Sequence, residues 1–125
     1  MSHPADFKYS KSHEFVEVLD GNKVRIGLTY HAQGELGDMT YVELPEVGAE
    51  YSRDDVFGVV ESVKAVSDLF MPVSGKIVEI NSKLEDAAEL INEDPYKLGW
   101  LIVVEMNDPS ELDDLMNKDE YEATL

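Results

Sequence analysis

The sequence predicts a small, mainly β fold, a sandwich or barrel with short helices at its periphery. The chain has 125 residues, of which 43% are apolar. That length fits one domain with a core of its own. About seven short strand-like segments recur, with turn signals every ~8–12 residues. The helical stretches decorate these strands instead of alternating with them, which disfavours a parallel nucleotide-binding sheet.

The elements follow in order. Glu14 to Leu19 is strand-like and is followed by the turn cluster Asp20-Gly21-Asn22. Lys23 to Thr29 alternates, with Val24, Ile26 and Leu28 on one face, so the pair reads as a β-hairpin. Residues 30–36 fit a short helix with Thr29 as N-cap and Gly37 as terminator. Thr40, Val42 and Leu44 alternate next, and Pro45 to Gly48 ends that strand. Val56–Val60 and Leu69–Met71 are compact apolar runs, with Glu61 to Asp68 between them. Val73-Ser74-Gly75 is a turn, and Lys76 to Ile80 is a further strand. Ser82-Lys83-Leu84-Glu85 fits a capping box, with Leu84, Ala87, Ala88 and Ile91 at helical spacing behind it. Trp100 to Met106 is apolar on both faces for most of its length, which predicts a central or covered strand. Asp108-Pro109-Ser110-Glu111 has an N-cap acid and Pro at the first helical position. Leu112, Leu115 and Met116 form the stripe that would pack on the sheet. A last turn is expected over Glu120 to Leu125. The expected domain is 1–125, with a core over about 8–107 and a helical segment over about 108–125.

Composition excludes several functions. Net charge is −17, from 27 acidic against 10 basic residues. Such a chain repels nucleic-acid backbones and anionic lipid, and no apolar run approaches the ~18–20 residues of a membrane span. There is no cysteine, so disulfides, thiolate nucleophiles and Cys-based zinc sites are ruled out. The N-terminus, Met1 to Asp6, lacks the pattern of a secretory or transit segment. A cytoplasmic, bacterial-type protein is expected; a mature mitochondrial form that has lost its presequence would read the same way.

Enzyme motifs fail one by one. His13-Glu14 begins like HExxH, but Glu17 stands where the second His is needed. His3, His13 and His31 show no ligand spacing, no DxDxDG-type loop is present, and no metal is expected. Ser74 lies outside any GxSxG elbow, and the glycines form neither GxGxxG nor GxxxxGK[ST]. The residues do not specify an enzyme.

One lysine stands apart. Lys64 lies in the turn between Val56–Val60 and Leu69–Met71, flanked by Ser62, Val63, Ala65, Val66 and Ser67. A hairpin tip of this kind presents its amine to a modifying enzyme. Glu61-Ser62-Val63-Lys64-Ala65, with Ser67-Asp68 and Pro72-Val73-Ser74-Gly75, resembles the lipoyl-lysine region of the glycine cleavage H proteins. Tyr9-Ser10-Lys11-Ser12-His13-Glu14 resembles the family's N-terminal segment. Gly34 to Asp38 and Tyr41 to Gly48 resemble its middle. Ile91 to Tyr96, Gly99-Trp100 and Asp108 to Leu112 resemble its C-terminal third. The likeness covers roughly residues 8–122. Phe15 stands where the family usually has Trp, which keeps a packing role and loses the indole N–H. Tyr30 replaces a common Asp, and Thr40-Tyr41 replace a more apolar pair.

The resemblance implies a lipoyl/biotinyl-type barrel-sandwich of two small antiparallel sheets, monomeric, with a carrier role and no catalysis of its own. Lipoate would be joined by an amide to Lys64, placed there by a lipoyl or octanoyl ligase or transferase. Its partners would be a glycine decarboxylase (P protein), an aminomethyltransferase (T protein) and a dihydrolipoyl dehydrogenase (L protein). The aminomethyl group it carries ends in a primary amine, protonated near neutral pH, and a cleft with carboxylate acceptors would shelter it. The family pattern places that cleft beside Ser12, Glu14 and Asp68, and Glu14 and Asp68 would hold the ammonium. The acidic surface suits steering toward basic patches on the partner enzymes.

Other readings compete. Biotinyl carriers flank their lysine with Met, whereas Val63 and Ala65 stand here. Lipoyl domains of 2-oxoacid dehydrogenases usually place Asp before the lysine. A lipoate relay protein, donating lipoyl groups to other enzymes, would use the same lysine. An unmodified scaffolding domain with a chance turn lysine is the remaining class.

Overall fold

The computed structural model describes residues 3–125. Met1 and Ser2, the start of the segment read for a targeting signal, lie outside the described residues. Two antiparallel sheets form the body. The larger has six strands: β1 (Lys8–Tyr9), β2 (Glu14–Val18), β3 (Lys23–Leu28), β9 (Ile102–Met106), β8 (Gly75–Ile80) and β5 (Glu50–Tyr51), paired in that order. The smaller has β6 (Val56–Ser62) at its centre, between β4 (Met39–Glu43) and β7 (Val66–Phe70). Three short α-helices, α1 (Tyr30–Leu36), α2 (Leu90–Glu93) and α3 (Lys118–Glu122), sit around the sheets with two 3-10 helices over Ser82–Glu85 and Pro109–Asp114. No helix among the described residues is long and apolar enough to cross a membrane.

The alternating segments became strands because one face of each could be buried. Val16, Val24, Ile26, Leu28, Ile77, Ile102 and Val104 meet Val42, Phe57, Val60, Leu69 and Met71 in one core. β9 lies between β3 and β8, and Ile102, Val103 and Val104 are all buried, as its two-faced apolar pattern predicts. Strands β1 and β5 have two residues each and were invisible to periodicity. A second cluster of Tyr9, Phe15, Tyr96 and Tyr121 is aromatic. Phe15 is fully buried there, 5.2 Å from Phe7 and 5.2 Å from Tyr96 between ring centroids.

Three expectations are corrected. A bulge between Met39 and Tyr41 breaks the alternation of β4, so Met39 and Val42 enter the core while Thr40 is exposed. The stretch after Ser82 does not run as one capped helix. Asn81 takes the N-cap position without a side-chain cap, the 3-10 turn ends at Glu85, and α2 starts anew at Leu90. Leu84, Ala88 and Ile91 still reach the core, so burial of these three side chains, not helix continuity, explains their spacing. The Asp108 cap forms, accepting from the Ser110 amide, but it opens a 3-10 helix. Glu111 turns away to accept from the Ser74 amide (2.7 Å) and hydroxyl (3.0 Å).

Helix α1 matters most for the site. Thr29 Oγ1 accepts the Ala32 amide, and Gly37, at φ 80°, ends the helix with its amide on the Gln33 carbonyl. Asn92 then ties that end to the sheet. Its side chain donates to Gln33 Oε1 and to the Gly37 carbonyl, both at 2.9 Å, and accepts the Met39 amide at 2.8 Å.

Candidate functional site

The β6–β7 hairpin is tighter than the apolar runs suggest. Its strands continue to Ser62 and resume at Val66, leaving only Val63, Lys64 and Ala65 as the tip. Every backbone N–H of that tip has an acceptor. Val63 donates to the Asp38 carbonyl at 3.0 Å. Lys64 and Ala65 both donate to Ser62 Oγ, at 3.2 and 3.1 Å. Ser62 closes the turn with its own amide on the Ala65 carbonyl at 2.8 Å. Gly58, on β6, faces the Glu43 carbonyl so closely that a Cβ there would collide with it, so the absent side chain lets β4 pair closely with the hairpin. The Lys64 backbone is thereby fixed while its side chain is exposed. Among the described residues no carboxylate pairs with its amine. The stem runs past the end of α1: a Cβ at Gly37 would lie 3.4 Å from Lys64 Cε.

A small cavity of about 110 Å³ adjoins this hairpin. Ser67 and Asp68 line it from β7, Leu36, Glu35 and Ala32 from α1, and Ser12 and His13 from the loop before β2. Ser12 and Asp68, both exposed, are thus brought to one cleft. Glu14 is placed differently. It is 1% exposed and lies behind Ser12. Its Oε1 accepts from the Ser10 and Ser12 hydroxyls, each at 2.5 Å, and its Oε2 accepts the Phe70 amide at 3.3 Å. Burial pushes its carboxyl up to about 7, against the pull of those hydrogen bonds. A larger cavity of about 340 Å³ shares Ser12, but its lining of Tyr9, Arg53, Met71 and Leu115 includes neither Asp68 nor any residue of the Lys64 hairpin tip.

Sequence reasoning missed His13, Glu35 and Ser10. His13 has φ 70°, an uncommon value for a residue with a Cβ. Burial, and then the neighbouring His31, push its imidazole below the ordinary range. The i, i+4 spacing of His31 and Glu35 was the one legible signal; nothing in the sequence connects them to His13.

Residues 7–125 match the family model described as Glycine cleavage H-protein. The chain is 57% identical over 125 residues to the glycine cleavage system H protein of Brevibacillus brevis, covering 100% of this chain and 98% of that protein. It is 54% identical over 122 residues to the same protein of Bacillus subtilis, covering 98% and 95%. A crystal structure of a glycine cleavage system H protein from Mycobacterium marinum superposes with a TM-score of 0.89 at 38% identity, covering 98% of each chain.

Proposed function

Because the chain belongs to the glycine cleavage H-protein family, we propose that Lys64 is the residue on which it bears lipoate. The family's role is that of a lipoyl carrier in glycine cleavage, not of a catalyst. The observation that carries the assignment is the hairpin tip, with all three backbone N–H groups held and the one lysine side chain left free. A cofactor that must visit several active sites needs a fixed base and a long tether, and this tip supplies both. Residues 1–125 act as one carrier domain.

Lipoate supplies the sulfur that takes up the one-carbon group and the disulfide–dithiol couple that is reset afterwards. The chain has no cysteine of its own, so no native thiol competes for mixed disulfides. The protein's part is to hold and shelter. Asp68 offers an exposed carboxylate to the cationic amine of the cargo, and the Ser12 hydroxyl lies in the same cleft. Glu14 acts from behind Ser12, adding negative charge to that wall when ionised. Leu28, Ala32 and Leu36 exclude water from the other side.

The partners follow from the family: a decarboxylase (P protein), an aminomethyltransferase (T protein), a dihydrolipoyl dehydrogenase (L protein) and the enzyme that attaches lipoate. Reconstitution with these components tests the proposal. The lipoylated chain should support glycine decarboxylation, and Lys64→Arg should support none. Asp68→Asn should keep the attachment but release ammonia and formaldehyde sooner from loaded protein. Full activity of Lys64→Arg would remove the assignment, and unchanged release from Asp68→Asn would remove the role of the cleft.

A further inference from the structure

His13, His31 and Glu35 converge although the sequence keeps them apart. Each offers one ligand atom, and these atoms all lie within 4.8 Å of one another. His31 and Glu35 leave the same face of α1 one turn apart, with His31 Nε2 3.0 Å from Glu35 Oε1. The His13 ring centroid is 5.0 Å from that of His31. His13 is held in place from two sides. Its backbone is locked in the left-handed region, and its Nδ1 is 2.6 Å from the hydroxyl of Tyr121. Tyr121 is fully buried, and its hydroxyl is also 2.8 Å from Thr29 Oγ1. An imidazole that ligates a metal almost always has such a partner on its other nitrogen, fixing tautomer and orientation. With Nδ1 engaged, Nε2 is the ring nitrogen left for an ion.

We propose that His13, His31 and Glu35 form a binding site for a divalent transition-metal ion of the zinc type. Two imidazole nitrogens and one carboxylate are a zinc donor set that leaves a fourth position open. Hard cations such as Mg²⁺ prefer oxygen ligands and water. A neutral His31 ligates through Nε2 with its single proton on Nδ1, and the ion takes the place of the hydrogen bond between Nε2 and Glu35 Oε1. His13 and Glu35 also line the cleft beside Asp68, so a bound ion shares that cleft with whatever docks there. The site requires no modification of Lys64.

The test uses the unmodified full-length chain, titrated with Co²⁺ in a large excess of Mg²⁺ that occupies exposed carboxylates. One equivalent of Co²⁺ should bind, give visible ligand-field bands, and be displaced by Zn²⁺. His31→Ala and Glu35→Gln should each weaken binding by about tenfold or more. His31 is half-buried and Glu35 exposed, so both variants should keep the melting temperature of the metal-free protein. Binding abolished by Mg²⁺, or an affinity that neither variant changes, would overturn the site.

Discussion

Glu14 sets the chemistry at the scale of single residues. A carboxyl that titrates near 7 when folded and near 4.5 when unfolded holds its proton more tightly in the native state. Between those values the folded chain binds more protons than the unfolded one, so stability falls as pH rises. The stabilisation is complete below the unfolded value and is lost as pH passes through about 7. Its full extent is about 3 kcal/mol, at roughly 1.4 kcal/mol for each pH unit between the two. Denaturant unfolding at pH 5 and pH 8, with a chelator present, should show this fall in the wild type, less the opposite rise with pH that the lowered His13 imidazole contributes. Glu14→Gln should show a smaller one; an equal fall would assign the dependence elsewhere. The ion that Glu14 becomes at higher pH costs stability, and it sits one hydroxyl behind the cleft. That is where the proposed carrier role wants negative charge.

Among the elements, the β6–β7 hairpin and α1 act together. The tip is fixed by Ser62 from within and by the Asp38 carbonyl from beyond α1. Ser62→Ala removes the acceptor of two solvent-accessible amides and should cost about 0.5–1.5 kcal/mol. Hydrogen exchange at Lys64 and Ala65 should accelerate by far more than exchange in β9, which follows global stability alone; protected amides in the variant would contradict the role of Ser62. Much of this layer was legible. The Asp20-Gly21 hairpin, the Thr29 and Gly37 ends of α1 and the two-faced apolar pattern of β9 each rest on local chemistry. The β4 bulge and the break between Ser82–Glu85 and α2 do not. Met39 reaches the core only because α2, through Asn92, and β6 fix its position. Likewise Lys64, Ser12 and Asp68 could be named from motif likeness, but the burial of Glu14 and the convergence of His13 on α1 are tertiary facts. No spacing in the sequence encodes them.

As a whole, the molecule is a strongly acidic body with a fixed hairpin tip at Lys64. Lipoate on Lys64, as proposed, would remove one positive charge and take −17 to about −18. A carrier that meets several enzymes gains from fast encounters more than from tight complexes, and long-range attraction supplies them. Turnover with the decarboxylase at limiting carrier should therefore fall several-fold between low and high salt, as the Debye length shrinks from about 30 Å at 0.01 M to about 3 Å at 1 M. A rate that ignores ionic strength would contradict steering. The central claim concerns the tip itself. Protein from cells supplied with lipoate and the attaching enzyme should be measured by intact mass and then by peptide mapping. The account predicts one lipoyl adduct per chain, located on Lys64 and absent from Lys64→Arg. An unmodified Lys64 under those conditions, or an adduct on another lysine, would contradict it.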